Sequence, residues 1–213
     1  AYYHVQPDRL VALASAEIPV EAATPGAYKA VGLRVADAVR GSEPAFETVW
    51  RPDLKVIYLH TQSRFGATLI SVQPSDAAHV ARVTIEVSQA KPTRDPAALA
   101  VPLERALARG LGFGAQGLQA NVALFGRSVS PLLAGGAPRP FGDLPERLGL
   151  RGVQVGVAGR GRTLTAYTPF LGRHQAGAQG KQNFALALIP QGQGTRIVAG
   201  SPGLDAALLA EAE

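Results

Sequence analysis

The amino-acid sequence predicts an α+β protein of two similar units, each a helix followed by an antiparallel sheet. Three observations carry this. Thr24-Pro25 and Asp95-Pro96 each join a side-chain oxygen that can cap free backbone N–H groups to a proline suited to the first helical position. Each signal is followed by an apolar stripe at helical spacing and then by several short runs of strand period. Finally, 46% of the 213 residues are apolar, enough for a real core, yet Gly, Pro, Arg or Gln interrupts every run well short of the roughly 20 apolar residues of a membrane-spanning helix.

In chain order, Pro7 to Ala14 reads as a short helix leading into an extended "AEIPVEA". Thr24 then opens a helix with Val31, Val35 and Val39 on one face and Gly41 as its stop. "FETVWRPD", "LKVIYLHTQ", "ATLISVQ" and "ARVTIEVSQ" read as a meander of strands. In the last, Val83, Ile85 and Val87 face the core while Arg82, Thr84 and Glu86 face away.

The second helix, "AALAVPLERALARG", places Leu99, Leu103 and Leu107 on one stripe; Pro102 within it predicts a kink or a detached first turn. "LQANVALFGR", "GVQVGVAG", "RTLTAYT", "KQNFALALI" and "TRIVAGS" read as strands. "SPLLAGGAPRPFGD" is a Gly/Pro-rich loop over about residues 130–143, and short helices are expected near Asp143 to Leu148 and from Leu204 onward. The repeated order divides the chain into units 1–91 and 92–213, linked near Gln89 to Arg94.

The net charge of +5 is unevenly placed. Residues 147–204 hold Arg147, Arg151, Arg160, Arg162, Arg173, Lys181 and Arg196 without one Asp or Glu, whereas residues 1–146 are nearly balanced and 205–213 are acidic. Long-range attraction from such a span favours an anionic partner. Zero Cys excludes disulfides, thiolate metal sites and cysteine nucleophiles. A chain that begins at Ala1 and has no Met fits a mature exported protein.

The chemical motifs fail on context. Gly112-x-Gly114-x-x-Gly117 has the spacing of a dinucleotide fingerprint, but a helix precedes it and a strand follows, the reverse of what places a helix N-terminus at a pyrophosphate; it reads as a helix-terminating turn. "GAQGKQ" lacks the upstream glycine and the Ser or Thr of a P-loop, leaving Arg173, His174 and Lys181 around a glycine-rich loop that can hold an anion. His4, His60, His79 and His174 are too scattered for a metal site. Ser75, Asp76 and His79 come without a nucleophile elbow and read as a turn with a capping Ser or Asp. Glu43/Glu47 and Asp143/Glu146 read as solvated turn or helix-start acids, and Trp50, Tyr58, Tyr167 and Phe184 as packing anchors. No catalytic residue, metal or cofactor is assigned. Phe184, Leu186 and Leu188 alternate with Asn183, Ala185 and Ala187, so "GKQNFALALIPQGQGTRIVAGSP" is primarily a hairpin.

The segments "LTAYTPFL", "GKQNFALAL" and "GTRIVAGSP" carry a resemblance to the YwmB family of exported bacterial proteins, whose fold is labelled TATA-box-binding-like. The matching positions are Ala166, Tyr167, Thr168, Lys181, Asn183, Leu186, Gly200 and Pro202. Ser201 and Pro190 depart from the pattern. The resemblance implies one body of two related halves, an extracytoplasmic location and no established enzyme chemistry. The function expected is a non-catalytic binding or accessory module of the bacterial cell envelope. Its basic surface, residues 147–204, would hold an anionic polymer or a protein partner through Arg160, Arg162, Arg173, His174, Lys181 and Arg196. The alternative is nucleic-acid binding on a saddle-like basic sheet.

Overall fold

Thr24 does what its position predicts: its Oγ1 accepts the Ala27 amide at 3.3 Å, and helix α1 runs from Pro25–Val39. The protein is described here by a computed structural model covering residues 5–39, 47–90, 96–133, 138–171, 175–177, 180–204 and 209. Among them the fold is α+β, with three α-helices and a large antiparallel sheet.

Two compact units divide the chain: Val11–Gln89 with Ala97–Ala120, and Ala1–Leu10 with Ala90–Pro96 and Asn121–Glu213. The first is built on β1 (Gln6–Pro19), α1, β2 (Glu47–Arg51), β3 (Val56–Ser63), β4 (Gly66–Pro74), β5 (Val80–Gln89) and α2 (Ala100–Leu111). The second is built on β6 (Gln116–Ser128), α3 (Arg139–Arg147), β7 (Arg151–Ala158), β8 (Gly161–Tyr167), β11 (Phe184–Gln191) and β12 (Gly194–Ser201), with a small hairpin of β9 (Gln175–Gly177) and β10 (Gly180–Gln182). Both β1 and β6 contribute residues to both units. Each unit repeats a strand, a helix and four strands, with the first strand bonded beside the last: β2-β3-β4-β5-β1 in one and β7-β8-β11-β12-β6 in the other. Helix α2, which the sequence grouped with the second half, clusters with the first unit.

Three expectations are corrected. Gln6–Pro19 is one strand and not a helix with an extended tail. Leu10, Val11, Ala12, Leu13 and Ala14 are all buried, and a strand buried on both faces shows no alternation, so an Ala/Leu-rich run looks helical. Part of the supposed loop 130–143 is helix, because Arg139–Arg147 starts with Pro140 in its first turn, where proline costs no hydrogen bond. Where a capping Ser or Asp is expected, the Ser75 hydroxyl donates out of its turn to Glu17 on β1 at 2.6 Å. Pro102 does separate a first turn: a 3-10 turn at Pro96–Leu99 precedes α2. The turn read at Gly112 is present, with Gly112 at φ 72°. Asp95, Glu43, His4 and most of the expected C-terminal helix lie outside the described residues.

In the first unit one sheet face meets the helices. Leu59 pairs with Ile70 and Ile70 with Ile85; Ile57 pairs with Val72 and Val72 with Val83, and all six are buried. Close approach requires glycine twice. A Cβ on Gly32 would lie 2.6 Å from Leu59 Cδ1, and one on Gly110 2.6 Å from Val35 Cα, so α1 and α2 touch backbone to backbone. The opposite face carries Tyr58, Ser71, Thr84 and Glu86 half-buried, with His60, Gln62 and Arg82 exposed. In the second unit Phe141 of α3 packs on Leu164, Leu186, Leu188 and Ile197. Hairpin β11–β12 closes at Gln191↔Gly194, as the "QGQG" turn predicts.

Candidate functional site

Strand register decides where the basic residues go. Arg162 on β8 pairs with Leu188 of β11, so it shares the α3-covered face; Arg196 on β12 pairs with Ile189 and Arg127, so it lies on the other. The two arginines therefore project from opposite faces and form no single shared surface. Arg160, in the turn after Gly159, is exposed, as are Arg162 and Lys181 on the β9–β10 hairpin. Arg173 and His174 lie outside the described residues.

Arg196 is not a solvent cation at all. Its side chain is 9% exposed and forms a short charge-assisted bond from Nη1 to Asp8 Oδ2. Arg127 Nε forms an ion pair with the same oxygen at 3.3 Å. Below this pair Phe125 is fully buried, with the Arg9 guanidinium 4.5 Å and that of Arg196 5.3 Å from its ring centre. Guanidinium planes stack on aromatic faces and tolerate desolvation better than ammonium groups, so the cluster holds β1, β6 and β12 together within the second unit. Sequence reading missed Asp8, Arg9 and Phe125. Only the cross-strand register brings them beside Arg196.

Two of the residues that carry the family resemblance, Thr168 and Asn183, meet in a structural clasp. Asn183 is fully buried. Its Oδ1 accepts the Thr168 amide at 2.7 Å, and its Nδ2 donates to the Thr168 carbonyl at 2.7 Å and the Leu171 carbonyl at 2.6 Å. Thr168 Oγ1 donates to the Leu148 carbonyl at 2.8 Å. Together they tie the end of β8 and the segment before β7 to the start of β11, which is a reason for Asn and Thr here that needs no ligand.

Two further polar groupings occur in the first unit. Glu17 accepts Ser75 Oγ at 2.6 Å and Arg82 Nη2 at 3.0 Å. The Ser75 hydroxyl, and after it the Arg82 guanidinium, holds the Glu17 carboxyl below its ordinary range. The Ser75 hydroxyl thus spends its hydrogen bond on Glu17, and His79, at φ 57°, offers its carbonyl to the Val20 amide at 2.8 Å. An open depression of about 440 Å³ is lined by His60, Leu69, Glu86 and Ser88 among others. His60 faces Leu69 and Leu69 faces Glu86 across three strands, which sets the two titratable groups about 9–10 Å apart, beyond direct proton transfer. Among the described residues no group of three or more His, Asp or Glu is placed to hold a metal ion. No helix among them is long and apolar enough to cross a membrane.

No family model and no curated protein matches the chain. Among solved structures it is similar to DynU16, a protein of the dynemicin biosynthetic locus, at 15% identity and TM-score 0.23, covering 89% of this chain and 86% of that one. It is also similar to the di-domain ARO/CYC StfQ from the steffimycin biosynthetic pathway, at 10% identity and TM-score 0.22, covering 89% and 83%. Overlaps of this size carry no argument about chemistry.

Proposed function

We propose that this chain is a non-catalytic binding module of the bacterial cell envelope, working outside the cytoplasm on an anionic polymer or a protein partner. The compartment comes from the resemblance to exported proteins. One observation carries the binding reading: Arg151, Arg160, Arg162 and Lys181 are exposed in a span without any Asp or Glu. The attraction concentrates on the β7–β8 hairpin, which bears three of these four, and excludes Arg196, whose charge is already matched by Asp8.

The same reading takes the two units as halves of a TATA-box-binding-like body. Its support is the repeated strand, helix and four-strand order with equivalent bonding in each unit. Nucleic acid on the helix-free face is the alternative. Phe125, the aromatic stacked on both Arg9 and Arg196, counts against it because it is buried and presents no face to a base, whereas Phe170 is exposed.

Retention on immobilised anionic glycopolymer across a salt series tests the proposal. Binding at low salt that weakens steeply as salt rises, and that falls in the Arg151→Ser/Arg160→Ser/Arg162→Ser variant, supports it. No retention at low salt, or retention unchanged in the variant, overturns it. Tighter binding to single- or double-stranded oligonucleotides than to the polymer selects the alternative.

A further inference from the structure

We propose that the outer edge of β7 docks an extended acidic peptide segment of a protein partner, which adds as a further strand. The inference rests on the same hairpin as the proposed function but on different forces: backbone pairing and apolar contact, with charge only as a guide.

Among the described residues β7 is the last strand in its unit's bonding order, with β8 on one side. Such an edge presents a row of free N–H and C=O groups, and proteins ordinarily guard it with charges, proline or short length. β2, the end strand of the other unit, is guarded in this way: it is five residues long, and its terminal Arg51 pairs with Asp53 at 3.2 Å just after Pro52. β7 keeps less protection: its register breaks between Arg151 and Gln154, but the run from Gln154 to Ala158 has no charge, proline or bulge. It is eight residues long, and "RGVQVGVA" carries one charge, at its first position.

The strand also exposes apolar side chains in alternation. Val153, Val155 and Val157 are 37%, 59% and 65% exposed; Phe170, 77% exposed, stands near the segment before the strand, its ring 3.7 Å from where a Cβ on Gly149 would be. Alternate apolar side chains on an unpaired edge are what β-strand addition uses: the backbone supplies affinity and every second side chain supplies selectivity. Exposed apolar patches of this kind mark interaction surfaces.

Charge chooses the occupant. Arg151 opens the strand, Arg160 follows it in the turn and Arg162 pairs with Val157, so cations stand at both ends of the strand, Arg162 on the face of Val155 and Val157 and Arg151, paired with Tyr167, on the other. A second copy paired antiparallel about Val155 would set Arg151 of one chain close to Arg160 of the other, a like-charge contact. A strand with apolar residues at every second position and Asp or Glu at its ends matches both features.

The test uses the full chain and a blocked ten-residue peptide with Val or Ile at alternate positions and Glu at both ends. Its controls are a Lys-ended twin and a version with proline at the centre. Fluorescence anisotropy reads affinity, and NMR amide shifts read location. The acid-ended peptide is expected to bind at least ten-fold more tightly than either control, with shifts centred on Arg151 to Ala158. Val155→Lys/Val157→Lys, which alters only exposed side chains, is expected to abolish that binding while leaving the melting temperature intact and polymer retention no weaker. Equal binding of the proline version, indifference to Val155→Lys/Val157→Lys, or shifts elsewhere would overturn the proposal. So would a change in oligomeric state as the variant's sole effect, which would assign the edge to self-pairing. Because polymer retention is measured separately, loss of one reading leaves the other legible.

Discussion

Replacing Asn183 by Asp should convert a pH-indifferent clasp into one that fails as pH rises. The side chain is fully buried, accepts one amide and donates to two carbonyls within 2.6–2.7 Å. Asp has the same shape and keeps the acceptor for the Thr168 amide, but it sets a second oxygen against the carbonyls of Thr168 and Leu171. Only the protonated acid can donate there, and to one carbonyl, so the folded-state pKa must rise above the ordinary value near 4. A raised carboxyl pKa means the folded state binds more protons. Stability therefore falls with rising pH, by about 1.4 kcal/mol per unit between the unfolded and folded values. Asn183→Leu removes the partners outright and leaves one amide and two carbonyls to find water. At about 1–3 kcal/mol for each unmet group, partly relieved by relaxation, its cost should be about 3–5 kcal/mol at every pH. Urea unfolding of the native protein and both variants from pH 4 to 8 gives these quantities directly. A pH-independent Asn183→Asp deficit, or an Asn183→Leu cost below about 1 kcal/mol, would refute the reasoning that this amide fastens the 168–171 segment.

Three other outcomes follow from the geometry. Arg196→Met should cost about 2 kcal/mol in chemical denaturation, below the figure for a fully buried pair because Asp8 is a third exposed and keeps Arg127. Adding Asp8→Asn should restore part of it, and strict additivity would show that the pair is not coupled. Gly110→Ala should cost about 1–3 kcal/mol, since its Cβ would meet the Val35 backbone, whereas Gly142→Ala, with open space around it, should be neutral or mildly stabilising. Equal effects would discount the helix contact. Glu17 has a depressed folded pKa, so its contribution is present above the ordinary value of 4.5 and is lost as pH falls through the lower folded value. The melting temperature should drop across that acid window and drop less in Glu17→Gln. Parallel profiles would remove Glu17 from the account.

Much of the fold was legible because local chemistry agreed with the final structure. The Thr24 cap, the alternation in β5 and the "QGQG" turn are each specified by neighbouring residues, and each appears where its pattern predicts. The site was less legible. Counting charge located the basic span and its absence of acids, but the count treats Arg162 and Arg196 as equivalent. Strand parity separates them onto opposite faces, and a carboxylate 188 residues away in the chain takes one of them out of solvent.

What the amino-acid sequence determined by itself was therefore the class, most of the elements and the sign of the field, because caps, turns and periodicity act over a few residues and charge acts regardless of contact. Tertiary structure alone decided that β1 is a strand, since Leu10 to Ala14 gain more from burial on two faces than from their local helical preference. It also decided which arginines remain available and which strand stays unpaired, because both depend on partners that only the register of distant strands brings within reach.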